Sequence, residues 1–550
     1  MLASYLHLML EKYEMVLNEL SMGYDRLFDI DIDIALRQAC SHHQVGRLEC
    51  AKAIYHQILA IEPENPDALH LLGVISHQNY NYKDGIELIT RAIEIDPNQS
   101  SFFNSLANIL KDSGQYQKAL DAYNHAVIID PQEELAHNNI GVLRHEQGQL
   151  GQAVDAYRKA IAINPNYFEG YSNLGVALRE QGKLDQAVES YQQAIAINPD
   201  YSAGYNNLGT VLKEQGKLDQ AIRAYRRAIK IDPNYIEAYN NLSHLELLRG
   251  NYTEGWHYYM ARKMEPIDQL LSFDSSNTDL YQKNILFIHE QGLGDEIFFL
   301  RFVPHLKLRG AQVIYRPHPK LVNLVAKLTC IDKVIGSQDL SVEPDLTLAL
   351  ADLPFLMGMQ DPTEIPPPIS FPNIVEDRSY ILDELADIGS PPYIGVTWCA
   401  GTKVSHRSRF LHLYKEIPLE LIAVLLSNID ATVIILQRNS TNSELDRFNE
   451  YLGRKTHDFG RFDQDLENMA KLLVSLDEYI AVSNTNVHLR AAVGKTSRVL
   501  VPFPPEWRWM DAGTESTWYP GTALYRQSTS GDWAEGIQRL KNDLETEFWP

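Results

Sequence analysis

Apolar residues recur along the first half of the chain with helical spacing, and the pattern is cut at regular intervals by glycine and proline. Pro63, Pro97, Pro131, Pro165, Pro199 and Pro233 each follow the last by 34 residues, and Gly114, Gly148, Gly182, Gly216 and Gly250 keep the same step. Within each unit a small residue falls at Ala51, Gly85, Ala119, Ala153, Ala187 and Ala221, and an aromatic at Tyr55, Tyr123, Tyr157, Tyr191 and Tyr225. Small residues let two helices approach closely, and the aromatic fills the space beside them. Each unit therefore predicts two helices broken by glycine and ended by Asp/Asn-Pro. No such pair can bury its apolar face alone, so the units must stack into a curved solenoid with a concave groove.

Past about residue 282 the 34-residue step is lost, and apolar runs of strand length alternate with amphipathic helices. "NILFIH", "AQVIYRP", "YIGVTWCAG", "ATVIILQ", "EYIAVSN" and "SRVLVPF" read as strands. "DEIFFLRFVPHLKLRG", "HPKLVNLVAKL", "PLELIAVLLS" and "VHLRAAVG" read as helices between them. That alternation predicts parallel sheets. The proline-rich "DPTEIPPPISFP" divides the pattern into two Rossmann-like halves with a cleft between them.

The repeat, as in "YSNLGVALREQGKLDQAVESYQQAIAINP" (171–199), resembles the tetratricopeptide repeat, with six full units over 32–250 and a shorter seventh. The second half resembles the tetratricopeptide-linked relatives of the bacterial lipopolysaccharide heptosyltransferases. The likeness lies in the order of five motifs: a GLGD turn, W-C-A-G-T, K-E-I-P, S-N-T-N-V-H and the tail "PFPPEWRWMDAGTESTWYPGTALYRQ". It implies an α-solenoid followed by an α/β GT-B fold. The organisation expected is an N-terminal helical segment (1–31), the repeats (32–269), a linker (270–281), an N-terminal Rossmann-like half (282–375), and a donor-binding C-terminal half with a final helix (376–550).

Composition narrows the function. The net charge is −23 and both halves are acidic, which disfavours nucleic acid as a partner. No apolar run approaches the roughly 20 residues of a membrane span. Four scattered cysteines, and a start that has no basic leader and carries Glu11, Glu14 and Glu19, lead to the expectation of a reducing cytoplasm.

A glycosyl transfer needs a base for the acceptor and cations or helix dipoles for the departing diphosphate. Gly292 and Gly294 permit a sharp strand-to-helix turn, and the family resemblance implies that Asp295 is the base. Asp295 could equally cap the following helix, and His289 and Glu290 are alternative bases. "KVSHRSRFLHLYK" gathers Lys403, His406, Arg407, Arg409 and Lys415, from which Lys403, Arg409 and Lys415 are expected at the donor, with Lys415 leading a helix start. Asn484, Thr485 and His488 occupy a second turn at a helix start, where the relatives carry an Asp-Thr-Gly type turn. His488 otherwise bonds within its own turn. Trp507 and Trp509 flank Arg508, which is expected near a phosphate, although both indoles could simply pack.

Asn139, Asn173, Asn207 and Asn241 share one position in four successive units. Such a row could hold an extended peptide by its backbone, as a similar ladder does in the O-linked N-acetylglucosamine transferases, or it could tie neighbouring helices together. Asp29, Asp31 and Asp33 mimic a metal-binding D-x-D but precede the first repeat, so capping or plain surface charge is expected there. No metal or cofactor is expected beyond a nucleotide-diphosphate sugar as co-substrate. The reading is a glycosyltransferase with a protein or peptide acceptor docked on the repeats. The alternatives are a non-catalytic repeat scaffold with a degenerate transferase domain, or a true O-linked N-acetylglucosamine transferase.

Overall fold

The computed structural model describes residues 31–262, 280–336, 339, 343–371, 374, 378–401 and 415–548. The chain forms two compact units, Met1–Gln186 and Ala187–Pro550.

Among the described residues, fourteen helices run from Ile32–Gln44 to Tyr252–Met260 in alternating lengths of 13 and 14 residues until the last, which has 9. The expected repeat positions are the buried ones: Ala51, Ala119, Ala153 and Ala221 have no exposed surface, and neither do Tyr55, Tyr123 and Tyr225. The tyrosines need room on the partner helix. A Cβ on Gly209 would stand 2.7 Å from the Tyr225 ring, so the glycine makes the pairing possible. The turn glycines sit in the left-handed region, Gly216 at φ 74° for example, where a side chain is strained. Tyr80 takes that conformation, φ 60°, at the corresponding place in an earlier repeat. Asp31 caps the first described helix by accepting from Asp33 N and Ile34 N, as expected, whereas Asp29 lies outside the described residues.

The second unit carries the last repeat helices and two parallel sheets. The strands are β1 (Asn284–Ile288), β2 (Gln312–Arg316), β3 (Lys333–Val334), β4 (Leu346–Ala349), β5 (Tyr393–Thr397), β6 (Cys399–Ala400), β7 (Lys415–Glu416), β8 (Thr432–Ile435), β9 (His457–Asp458), β10 (Glu478–Val482), β11 (Arg498–Val501) and β12 (Ala523–Arg526). The first sheet has the order β3-β2-β1-β4 and the second β12-β11-β10-β5-β8-β9. Every pairing in both sheets is parallel, and β6 with β7 forms a separate antiparallel pair. Counted from β5, the second sheet has the doubly wound order 3-2-1-4-5-6. Its strand order reverses between β5 and β10, and such sheets bind ligands in the crevice beyond the strand ends at that point.

The expected helix over "DEIFFLRFVPHLKLRG" is broken into Leu293–Phe299, a 3-10 turn, and Val303–Leu308. Pro304, near the start of the second piece, has no N–H to continue the first. One hydrophobic core joins residues of the last repeat helices to both sheets. At its centre Trp256 meets Trp507 edge-on at 5.4 Å between ring centroids, and Trp507 meets Trp518 at 5.3 Å. The repeats do not end before the α/β core begins, because they supply part of it.

Candidate functional site

The turn after β1 runs from Gly292, which occupies the N-cap of the Leu293–Phe299 helix. Asp295 therefore stands inside the first turn, and its carboxylate is not the N-cap acceptor. It accepts a hydrogen bond from Arg508 Nη2. Arg508 is nearly buried, with its guanidinium over Trp507 at 4.4 Å and Phe298 at 4.9 Å. Burial pushes the Arg508 pKa down, and the neighbouring carboxylates of Asp295 and Glu506 more than offset it.

Glu506, two residues before Arg508, accepts from Lys415 Nζ at 2.6 Å, from Ser483 Oγ at 2.6 Å and from Trp509 Nε1 at 3.2 Å. Its burial pushes the carboxyl pKa up, but Lys415 and Arg508 overcome that and hold it at about 2. Lys415 also donates to Ser483 O at 3.2 Å, directly after β10. Lys415 is therefore not at a helix start: it lies in β7, and the next helix begins at Leu419. A short antiparallel pair with Ala400 holds it beyond the ends of β5 and β10.

The second turn meets the first. A Cβ on Gly294 would lie 2.9 Å from His488 Cδ2, so only glycine lets the two loops close on each other. Asn484 is the N-cap of the Thr485–Ala492 helix, accepting from Val487 N, and its amide donates to Tyr479 Oη at 3.0 Å. Thr485 opens that helix. His488 is buried and bonds the Tyr519 hydroxyl rather than its own turn. Burial first, and Arg508 second, lower its pKa well below the usual histidine value, so the ring is neutral. Of the alternative bases, Glu290 is held by Arg262 at 2.8 Å, and the exposed His289 has its ring 5.8 Å from that of His318. Trp507 and Trp509 pack in the core. Lys403, His406, Arg407 and Arg409 lie outside the described residues.

A cleft of about 290 Å3 opens beside these groups. Its walls come from the repeats (Lys213, His244, Leu245, Leu248, Tyr259), from the β1 turn (Gln291, Asp295) and from 504–508. Glu506, His244 and Tyr259 escaped the sequence reading. Glu506 stood in a segment read for its tryptophans, and the other two belong to repeat helices whose pattern signals only packing.

In the asparagine row, Asn139 Nδ2 donates to Asn104 Oδ1 at 3.0 Å, Asn173 to Asn138 at 2.9 Å and Asn241 to Asn206 at 3.0 Å. These amides tie successive repeats. All four, Asn207 included, remain half-exposed.

Comparison with known proteins matches the tetratricopeptide repeat over 36–100 and 88–121, and the TPR repeat over 107–148, 143–179, 177–216 and 209–245. Residues 36–245 are thus tetratricopeptide repeats, a scaffold suited to protein interaction. The protein FlbA of Caulobacter vibrioides is 23% identical over 331 residues, covering 54% of this chain and 53% of that protein. The chain therefore spans about half the length of that relative. Among solved structures, MamA is 23% identical with a TM-score of 0.28, over 30% of this chain and 95% of its own. YrrB, described as a TPR protein with an unusual peptide-binding site, is 17% identical with a TM-score of 0.28, over 34% of this chain and 95% of its own. No helix among the described residues is long and apolar enough to cross a membrane.

Proposed function

We propose that the α/β region is a GT-B type glycosyltransferase that moves a hexosyl or heptosyl unit from a nucleotide-diphosphate sugar to a protein or peptide docked on the repeats. The observation that carries this reading is the linkage of Asp295 to Lys415 through two adjacent side chains. Asp295 pairs with Arg508, and Glu506 pairs with Lys415. The candidate base and the candidate diphosphate cation thus share one location, at the strand ends of both sheets. The doubly wound order of the second sheet supports a nucleotide in the crevice beside Lys415 and Ser483. Lys403 and Arg409, which precede Lys415 in sequence, are proposed to bind the diphosphate, with Asn484 and Thr485 at the turn after β10. No metal is invoked, because cations and helix ends supply the charge.

The same ion pairs favour a second reading. Asp295 and Lys415 each have an internal counter-charge, as they would in a degenerate domain serving a repeat scaffold. Thermal unfolding of the full chain against UDP, GDP, ADP, CDP and their common sugar conjugates separates the two. Ligand at 100 times its dissociation constant adds about 2.7 kcal/mol, which raises the midpoint by about 2 °C or more. A base-specific shift lost in Lys415→Ala supports the transferase. A flat panel at millimolar ligand rejects it in favour of the scaffold.

A further inference from the structure

Glu506 stands where donors from three segments converge. Lys415 Nζ from β7 reaches its Oε1 at 2.6 Å, while Ser483 Oγ after β10 and Trp509 Nε1 share its Oε2 at 2.6 and 3.2 Å. The charge of Arg508 acts on the same carboxylate. Lys415 also donates to Ser483 O, so the lysine and the serine are fixed to each other independently of Glu506. An ammonium, a hydroxyl and an indole N–H gathered on one charged group make a built anion seat, and a phosphate presents the same kind of acceptor oxygen as a carboxylate. The seat lies beyond the ends of β5 and β10, where the strand order reverses and sheets of this kind bind nucleotides. A phosphate has more oxygens to satisfy than a carboxylate, and Arg508 Nε is buried with no hydrogen-bond partner among the described residues.

In this arrangement Glu506 already balances the charge of Lys415, as Asp295 balances that of Arg508. An arriving diphosphate would meet a carboxylate at hydrogen-bond distance from the cation it needs, and like charges that close disfavour each other. Pro504 and Pro505 restrict the main chain just ahead of Glu506, so the side chain is the part free to move. Glu506 also lines the cleft of about 290 Å3, together with Lys213 and His244, which gives that side chain a place to turn.

We propose that this seat serves a phosphate group of the nucleotide diphosphate and that Glu506 is its internal competitor: the phosphate takes over Lys415 Nζ, Ser483 Oγ and Trp509 Nε1 as the Glu506 side chain turns toward the cleft. The proposal rests on the transferase reading above and adds to it a built-in limit on donor affinity. A seat filled by Glu506 about nine-tenths of the time weakens the apparent affinity about tenfold.

Calorimetric titration of the full chain with UDP, GDP, ADP and CDP tests the exchange. Glu506→Gln, which keeps the size of the side chain and removes its charge, should bind the preferred nucleotide about tenfold more tightly than the unaltered chain. Adding Lys415→Ala should erase that gain, because the phosphate then loses the cation of the seat. Unfolding midpoints establish that the variants fold. Should Glu506→Gln fail to fold, Glu506→Asp takes its place: the shorter side chain reaches Lys415 less well, and binding should again be tighter. Equal or weaker binding in the Glu506 variant, or a gain that survives Lys415→Ala, overturns the exchange, while nucleotide binding by the unaltered chain keeps the transferase reading standing. If the unaltered chain binds none of the nucleotides at millimolar concentration, that reading falls and the exchange falls with it.

Discussion

Arg508 reaches across 213 positions of sequence to donate to the Asp295 carboxylate, and so joins the loop after β11 to the turn after β1. The two partners are unequal. Arg508 is 9% exposed at its side chain and Asp295 30%. Arg508→Ala strips a guanidinium from two aromatic faces and leaves a carboxylate partly buried, which costs about 2–4 kcal/mol. Asp295→Asn leaves Arg508 with Glu506 close by and costs about 1 kcal/mol. Urea unfolding of the two variants should show that asymmetry; equal losses would mean that the pair, rather than the packing of Arg508, dominates.

Glu506 predicts an acid-sensitive site. Its carboxyl is held at about 2, below an ordinary glutamate value of 4.5, so its contribution is fully present above pH 4.5. Below that the unfolded chain binds the proton first, and the contribution fades as pH falls toward 2. The amount at stake is ~3 kcal/mol. Unfolding midpoints between pH 6 and 2.5 should fall more steeply in the unaltered chain than in Glu506→Gln. Parallel curves would assign the acid sensitivity to other carboxylates.

Trp256 predicts where the chain can be cut. It is 1% exposed and packs on Trp507, Trp518 and Phe299. A fragment starting at 270 loses that indole and bares the aromatic faces beneath it, whereas one starting at 187 keeps the second compact unit whole. The shorter fragment should aggregate or lose its near-ultraviolet circular dichroism. Trp256→Ala in the longer fragment should cost about 3–5 kcal/mol by urea unfolding.

Tyr80 offers a stabilising change. It holds φ 60° with 80% of its surface exposed, in a turn where later repeats place glycine. Tyr80→Gly removes the strain and sacrifices little packing, so stability should rise by about 0.5–1 kcal/mol. Hydrogen exchange of the flanking helices Pro66–Gln78 and Tyr82–Ile95 would register it as slower opening.

The amino-acid sequence by itself determined the 34-residue helical unit, its buried alanines and tyrosines, and the alternation that makes parallel sheets. Each of these rests on contacts within one unit or on the period of one element, and such contacts repeat along the chain. It also singled out Gly294, Asp295, Lys415, His488 and Arg508, although Lys415 lies in strand β7 and not at the helix start expected for it. What joins them was decided only by the tertiary structure: Glu506 between Lys415 and Arg508, His488 against Gly294, and Tyr259 and His244 in the cleft wall. Those contacts bridge distant segments, and a charge's partner is chosen by burial and geometry that no local pattern encodes. The row of asparagines marks the boundary between the two. Its pitch was plain in the sequence, but its amide bonds between successive repeats emerged only when the helices were packed.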